Sequence, residues 1–117
     1  MLSIIIPAYN EEENIEKTAS VIGGIMEENG IDCEIIFVDD GSKDKSWELI
    51  DRLSREKDNI RGLKFSRNFG KEGAIFAGLK NCLGDCAAVI DCDLQHPPQL
   101  LPEMYNLWKQ GYKVWKR

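Results

Sequence analysis

The stretch Leu2-Ser3-Ile4-Ile5-Ile6-Pro7 is a run that is apolar except for the small Ser3 and that ends at a proline. A nearly continuous apolar run of this length is typical of a strand that is buried on both faces, as in a parallel sheet covered by helices. An amphipathic strand would instead alternate apolar and polar residues. The first residues of the chain therefore predict a buried strand of a parallel sheet.

The rest of the chain alternates helical and strand patterns. Further strands are predicted at residues 33–38, 60–65 and 86–90, and residues 112–117 resemble the opening of another. Helices are predicted at about residues 10–29, 43–57 and 70–83 and after the Pro97-Pro98 pair, with Asn10 and Glu13 capping the first. The first helix has one apolar stripe at helical spacing, formed by Ile15, Ala19, Ile22 and Met26, and the third has small residues that would allow close packing on the sheet, namely Gly73, Ala74, Ala77 and Gly78. This order predicts βαβ units, which means an α/β fold with a mostly parallel sheet and helices on both faces.

Composition restricts the classes of function. The chain has 117 residues and a net charge of -5, which indicates one domain and argues against a nucleic-acid partner. A local run without acidic residues contains Arg61, Lys64, Arg67 and Lys71, and is either a solvated face or an anion-binding patch. We find neither a signal leader nor an apolar run long enough to span a bilayer, so membrane contact is expected to be peripheral or to come from sequence outside this chain.

The four cysteines, Cys33, Cys82, Cys86 and Cys92, form no CxxC pair. They are expected to be reduced thiols in a cytosolic compartment. A zinc site built from Cys82, Cys86 and His96 is a remote alternative, because structural zinc usually has more closely paired ligands. A single histidine at position 96 is more typical of a structural or rim residue than of a catalyst.

Polar clusters follow three of the predicted strands, at residues 7–11, 39–42 and 91–95. Each cluster taken singly is typical of a turn. The carboxyl ends of parallel strands share one edge of the sheet, however, and carboxylates that converge there repel one another without a cation or a donor-rich ligand. Asp91 and Asp93 are two hard oxygen ligands that suit Mg²⁺ or Mn²⁺. The sequence has neither a P-loop nor a G-x-G-x-x-G motif, which argues against a P-loop nucleotidase and a nicotinamide or flavin enzyme.

Four ordered strings carry a family resemblance: IIIPAYNEEENI at residues 4–15, IIFVDDGSKDKSWELI at 35–50, SRNFGKEGAIFAGL at 66–79 and VIDCDLQHPPQLLPEM at 89–104. They resemble glycosyltransferase family 2, and within it the polyprenyl-phosphate glycosyltransferases. The resemblance covers essentially the whole chain. It implies a GT-A fold, in which a nucleotide-binding αβ sandwich presents a D-x-D turn to a sugar nucleotide.

The resemblance also implies roles for particular residues. Asp91 and Asp93 would be catalytic and would hold the donor diphosphate through a metal, with Gln95 as a further ligand or nearby group. The nucleotide-sugar site would comprise Pro7, Tyr9, Glu11, Asp39, Asp40, Arg67, Lys71 and Asp91. The first five of these would lie near the base and ribose, and the two cations near the mouth of the site. Cys92 departs from the family, which usually has a small residue such as alanine at that position.

The implied reaction transfers a hexose from a nucleotide-diphosphate sugar to a polyprenyl phosphate, with inversion and with Mg²⁺ or Mn²⁺. UDP-glucose is the first donor expected and GDP-mannose the second. Residues 1–117 would form the nucleotide-sugar-binding portion of the catalytic domain, without its acceptor-side half. The full-length form would be cytoplasmic, at the inner face of the membrane, and an open sheet edge would favour a homodimer.

Other interpretations remain open at this point. The chain could be a truncated nucleotide-binding module without turnover of its own. An aspartyl phosphotransferase is less consistent, because Gln95 stands where that chemistry normally has Thr or Val. A receiver-like domain would carry its acidic pair after the first strand, not after the second. The remaining alternative is a parallel αβ domain whose polar turns form no site.

Overall fold

The computed structural model describes residues 1–95 and 97–111, in which four parallel strands form one sheet. The strands are Leu2–Ala8 (β1), Cys33–Asp39 (β2), Ile60–Lys64 (β3) and Cys86–Val89 (β4), in the spatial order β3-β2-β1-β4. The helices are Ile15–Glu28 (α1), Ser46–Glu56 (α2), Lys71–Asn81 (α3) and Leu100–Lys109 (α4). The predicted α/β class with a parallel sheet is confirmed, and the strand predicted at residues 112–117 lies outside the described residues.

Strand β1 lies at the centre of the sheet, as its apolar run predicts. It pairs with β2 along its whole length and with β4 on its other side. Successive side chains point to opposite faces, so Ile4 and Ile6 belong to one hydrophobic core and Ile5 to the other. Buried residues of α1, α2 and α4 complete the first core, whereas Ala74 of α3 completes the second. Helices therefore cover both faces.

Helix α1 buries the predicted stripe but does not begin where the sequence suggested. Its buried residues include Ile15, Ala19, Ile22 and Met26, which confirms the helical spacing. The predicted cap is wrong, because α1 starts at Ile15 and Asn10 has a positive φ of 52°. The Asn10 side chain instead accepts a hydrogen bond from a neighbouring loop, which removes it from the helix start.

Small residues bring α3 close to the sheet, as predicted. Ala74 is fully buried, and a Cβ atom at Gly78 would lie 2.5 Å from the Cγ2 atom of Ile5. Along α4, Leu101 is buried, whereas Leu100 and Leu107 are 41% and 39% exposed.

A buried carboxylate joins the amino ends of the strands. Glu34 of β2 accepts hydrogen bonds from the Ser3 hydroxyl at 2.6 Å, from the Leu83 amide at 2.6 Å and from Arg61 at 2.8 Å. Burial alone would raise the pKa of Glu34, but these donors outweigh it and lower that pKa below its ordinary value of 4.5. The charged form of Glu34 therefore stabilises the sheet at the end opposite its carboxyl edge.

We expect Glu34→Gln to lower the free energy of unfolding by about 2 kcal/mol at neutral pH, because it removes charge-assisted hydrogen bonds. The folded-state pKa is depressed, so this stabilisation is complete above pH 4.5 and is lost as the pH falls through the lower folded-state value. Urea denaturation at pH 7 and at acidic pH measures both effects. Glu56→Gln, which alters an exposed 3.7 Å ion pair with Arg52, is the matched control and should change stability by less than about 0.5 kcal/mol. A Glu34→Gln effect equal to that of the control would contradict the assignment.

Candidate functional site

A cavity of about 280 Å³ opens at the carboxyl ends of β1 and β4. The chain runs from β1 outward to β2 and β3 and then returns to place β4 on the other side of β1, so the strand order reverses between β1 and β4. Ligands of open parallel sheets bind at such reversal points. The cavity is lined by Pro7, Ala8, Tyr9, Glu11, Asp40, Lys71, Asp91, Cys92, Asp93 and Gln95.

The acidic turn after β4 presents its two aspartates at the cavity. The Ile90 amide still bonds to β1, and the chain then turns with a 3.0 Å hydrogen bond from the Leu94 amide to the Asp91 carbonyl. Leu94 has a positive φ of 57°, which tightens this turn. Asp91 is half-buried and Asp93 is exposed. Both carboxylates are therefore available to a ligand in the cavity.

Cys92, between the two aspartates, anchors the turn in the core. Its side chain is buried, and the Thr18 hydroxyl of α1 donates a hydrogen bond to its carbonyl oxygen. Burial, with a smaller contribution from the nearby Glu11 carboxylate, raises the pKa of the Cys92 thiol to about 12. The thiol is therefore neutral and shielded, so the residue serves packing and not chemistry.

One cation faces the carboxylates of the cavity. Lys71, the first residue of α3, places its ammonium 2.5 Å from a carboxylate oxygen of Asp91. Among the described residues, the cavity lining contains four carboxylates, those of Glu11, Asp40, Asp91 and Asp93, against this one ammonium. The excess of negative charge favours a cationic ligand, or an anionic ligand that arrives with a metal.

Asp40 holds the loop that carries Lys71. One of its carboxylate oxygens accepts the Phe69 amide at 2.8 Å and the other accepts the Gly70 amide at 3.0 Å. The same loop passes so close to Gly41 that a Cβ atom there would lie 2.4 Å from the backbone carbon of Arg67. Asp40 and Gly41 together set the start of α3, and with it the position of Lys71.

Two further loops are interlocked beside the cavity. The amides of Asn10 and Glu11 donate to the hydroxyls of Ser42 and Ser46, each at 2.8 Å. The Glu12 amide donates to Asp44 at 3.1 Å, and in return the Lys43 amide donates to the Asn10 side chain at 2.8 Å. The β2–α2 loop therefore fixes the backbone of residues 10–12, which follow Tyr9 in the cavity wall.

Asp44 and Ser46, which make several of these loop contacts, were not predicted from the sequence as site residues. Burial raises the pKa of Asp44, but hydrogen bonds from the Ser46 hydroxyl, the Ser46 amide and the Glu12 amide together lower it by more. The net effect is a pKa below its ordinary value. Thr18, which holds the acidic turn, was also missed. For Asp44 and Ser46 the sequence does carry a signal, the D-G-S-x-D-x-S spacing at residues 40–46, in which short polar side chains repeat at turn spacing. Thr18 carries no such signal.

Most of the predicted site residues meet in the cavity. Those in its lining are Pro7, Tyr9, Glu11, Asp40, Lys71, Asp91, Asp93 and Gln95. Asp39 is fully buried outside this lining, with one oxygen 3.4 Å from the Ser42 amide and the other without a partner in the described part of the chain. Arg67 also lies outside the lining, with its guanidinium 4.8 Å from the Phe69 ring. His96 is not among the described residues.

The basic run of residues 61–71 does not form a single patch. Arg61 pairs with Glu34 at the amino end of the sheet, and Lys64 lies 5.8 Å from the Trp47 ring of α2. Lys71 points to the cavity and Arg67 to Phe69. Each of the four cations therefore lies in a different environment.

The donor set fits a magnesium- or manganese-type ion. The cavity lining contains the carboxylates of Asp91 and Asp93 and the side-chain amide of Gln95, whose oxygens are of the kind that these ions prefer. Across residues 1–95 and 97–111, no three His, Cys, Asp or Glu side chains are grouped to hold a metal. Two protein carboxylates with open positions are what Mg²⁺ uses when substrate phosphates complete its coordination. The four cysteines are free, and no helix in the described ranges is long and apolar enough to cross a membrane.

Comparison with known proteins identifies the family. Residues 3–115 match the glycosyl transferase family 2 model, so the chain belongs to glycosyltransferase family 2. It is 43% identical over 112 residues to an uncharacterized glycosyltransferase, YkcC, from Bacillus subtilis, which covers 96% of this chain and 35% of the relative. It is 38% identical over 110 residues to the bactoprenol glucosyl transferase of Shigella phage SfV, with 94% and 36% covered. The chain thus spans about a third of the length of these relatives.

Solved structures confirm the GT-A fold. Glucosyl-3-phosphoglycerate synthase from Mycobacterium tuberculosis, in complex with Mn²⁺ and UDP-glucose, matches with a TM-score of 0.72 at 26% identity, over 95% of this chain and 40% of that one. The mannosyltransferase PcManGT from Pyrobaculum calidifontis, in complex with GDP-mannose and Mn²⁺, matches with a TM-score of 0.73 at 21% identity, over 89% and 31%. The second likeness concerns the fold alone.

Proposed function

We propose that this chain forms the donor-binding part of a metal-assisted glycosyltransferase that moves a hexose from a nucleotide-diphosphate sugar to a polyprenyl phosphate. One observation carries the proposal: residues from three separate polar clusters converge on one acidic cavity at the strand reversal. The fold and family membership support it. The name of the phage relative favours a bactoprenol-type acceptor and a glucose donor. GDP-mannose is the second candidate donor.

The proposed roles follow from position. Asp91 and Asp93, with Gln95, would hold Mg²⁺ or Mn²⁺, which would offset the negative charge that develops on the leaving diphosphate. Tyr9, with Pro7 and Glu11, would border the base and ribose. Lys71 is placed to exchange its contact with Asp91 for a contact with a donor phosphate. Asp40 would act by holding the loop before α3, since both of its oxygens already accept amides from that loop.

The acceptor is itself an anion, so it needs little help from a general base. Its phosphate oxygen would attack the anomeric carbon from the side opposite the leaving group. The carbon–oxygen bond to the diphosphate would break as the new one forms, which inverts the configuration and releases the nucleoside diphosphate. The protein would act at the inner face of the membrane, with residues 1–117 as the donor half. The homodimer expected from an open sheet edge remains a prediction.

A second candidate is a nucleotide-binding module without turnover. The chain spans 35% of YkcC and 36% of the phage enzyme, so the activity of the whole relatives is not evidence of turnover by residues 1–117. Binding and turnover therefore need separate experiments.

We expect this chain to bind UDP or GDP far more tightly with Mn²⁺ than without it, because the cavity carries an excess of carboxylates. Calorimetric titration of both nucleotides, with and without Mn²⁺, measures the dependence and identifies the base. CMP is a suitable control, since it has no diphosphate to complete the coordination of the metal. Absence of binding by the folded chain would contradict the donor site. Product formation with inverted configuration, assayed in a longer protein, separates the enzyme from the binding module.

A further inference from the structure

An exposed aromatic and basic surface lies on α3 and the loop before it. We call Arg67, Phe69, Phe76, Leu79 and Lys80 the α3 surface. Phe69, Phe76 and Leu79 are 55%, 63% and 45% exposed, which is unusual for side chains of this size. Phe69, Phe76 and Lys80 border a groove of about 610 Å³, whose lining continues through Phe65, Gly73, Ala77 and Asn81.

The α3 surface is net positive whereas the whole chain is net negative, since Arg67 and Lys80 outnumber Glu72, an exposed carboxylate one turn before Phe76 on the same helix. The Arg67 guanidinium lies 4.8 Å from the Phe69 ring, and the Lys80 ammonium lies 5.5 Å from the Phe76 ring. In the part of the chain that the structure describes, the lining of the groove contains no carboxylate, although the net charge of the chain is -5. Each exposed ring thus has a cation directly beside it. The occupant that complements such a surface is apolar inside and anionic at its boundary.

We infer that the α3 surface docks on an anionic phospholipid bilayer. Phenylalanine rings enter the boundary between headgroups and acyl chains, while Lys and Arg bury their apolar stems and keep their charges at the phosphates. A bilayer supplies both the apolar interior and the anionic boundary, and it needs no directional hydrogen bonds from the protein. A second copy of this chain would instead bring the same cations against Arg67 and Lys80.

The position of the surface relative to the cavity supports this occupant. Lys71, which lines the cavity, is the first residue of α3, and Phe69 stands two residues before it. A bilayer on the α3 surface would therefore lie beside the loop that leads into the site. A lipid-carried phosphate acceptor could reach the cavity from that side. This last step rests on the proposed function, whereas docking on the bilayer does not.

Sedimentation with vesicles tests the inference on residues 1–117. Wild-type protein should bind phosphatidylcholine vesicles that contain phosphatidylglycerol and should bind pure phosphatidylcholine at least about tenfold more weakly. Phe76→Ser and Lys80→Glu should each lower binding to the anionic vesicles by about tenfold or more. Leu100→Ser and Lys57→Glu, which alter exposed residues away from α3, are the matched controls and should change binding by less than about twofold.

A second measurement reports contact with the acyl chains directly. Phe76→Trp places an additional indole on the surface, and vesicles of brominated anionic lipid should quench its fluorescence beyond that of the wild-type tryptophans. Equal binding of wild type and Phe76→Ser, or no additional quenching, would overturn the inference. Self-association that Phe76→Ser abolishes, without vesicle binding, would assign the surface to a second copy.

The nucleotide titration needs no lipid, so the two proposals fail separately. Phe76→Ser should bind nucleotide as the wild type does, because Phe76 is not in the lining of the cavity. Nucleotide binding without vesicle binding would overturn only the inference about the bilayer. Vesicle binding without nucleotide binding would overturn only the donor site.

Discussion

Replacing both aspartates of the acidic turn, Asp91→Asn with Asp93→Asn, should weaken Mn²⁺-supported nucleotide binding by about a hundredfold or more. The two amides remove two negative charges from the cavity but keep the shape of the side chains, and each charge-assisted contact contributes roughly 1.5–3 kcal/mol. Binding measured without Mn²⁺ should change far less, because the carboxylates would act on the nucleotide through the metal. Calorimetry on both proteins, with and without Mn²⁺, measures these four affinities.

The fold should tolerate this double substitution. In the described part of the chain, the Asp93 side chain accepts a hydrogen bond from the Gln95 amide at 3.3 Å and the Asp91 side chain pairs with the exposed Lys71, whereas the turn itself is held by backbone contacts and by Cys92. Asp51→Asn with Asp85→Asn is the matched control, since both residues lie in surface ion pairs outside the cavity. The control changes the net charge equally and should leave binding within about twofold. An equal loss in the two double variants, or a loss that does not depend on Mn²⁺, would contradict the role of the turn as a metal site.

The fold was predictable because local and long-range requirements agree along this chain. The run at residues 2–6 can be buried on both faces only at the centre of a covered sheet, and β1 lies there, between β2 and β4. The alternation of strands and helices then restricts the topology to parallel βαβ units. The predicted start of α1 was wrong because the Asn10 side chain accepts a hydrogen bond from the Lys43 amide, 33 residues away. A capping pattern within the sequence cannot reveal that competitor.

The site was predictable at the level of clusters but not of individual roles. The carboxyl ends of parallel strands lie at one edge, so residues 7–11 and 91–95 had to approach each other. Asp39 and Asp40 could not be told apart in sequence, and both are buried, yet Asp40 reaches the cavity lining and holds the α3 loop whereas Asp39 lies outside that lining. That difference follows from the alternation at the end of β2, where adjacent side chains take opposite directions.

The same alternation explains why the basic run does not form one patch. Gly62 and Lys64 lie against Trp47 of α2, whereas Leu63 packs into the core beneath α3. Arg61 and Lys64, three residues apart in β3, therefore lie on opposite faces of the sheet. Arg67 and Lys71 follow β3 and have other surroundings. Charges along a strand share one face of the sheet only when their positions differ by an even number of residues.

Gly41→Ala should destabilise the protein more than any ordinary exposed glycine substitution. Gly41 has a φ of 75°, and a Cβ atom there would lie 2.4 Å from the backbone carbon of Arg67 and 2.5 Å from the backbone nitrogen of Asn68. The positive φ alone costs about 1–2 kcal/mol for a residue with a side chain. The clash is with backbone, which cannot rotate away, so relief requires the loop to move, at a further cost of about 1–3 kcal/mol.

Gly30→Ala separates the two contributions. Gly30 has a similar φ of 63° but no atom within 4 Å of its Cβ position, so this variant should show the conformational cost alone. Urea denaturation of both variants measures the difference, which we expect to be at least about 1 kcal/mol. Equal losses of stability would show that the loop yields without cost.

The two glycine variants should also differ in function. A loop displaced from Gly41 would pull the Phe69 and Gly70 amides away from Asp40 and would move Lys71 out of the cavity, because Lys71 follows Gly70 directly. Nucleotide affinity should therefore fall about tenfold or more in Gly41→Ala, as expected when a binding group is misplaced by a shift of about 1 Å, and stay unchanged in Gly30→Ala. A Gly41→Ala protein that is destabilised but binds nucleotide normally would show that the position of this loop is not required for the donor site. Calorimetry at a temperature where both variants are folded distinguishes these outcomes, since loss of affinity is then independent of loss of stability.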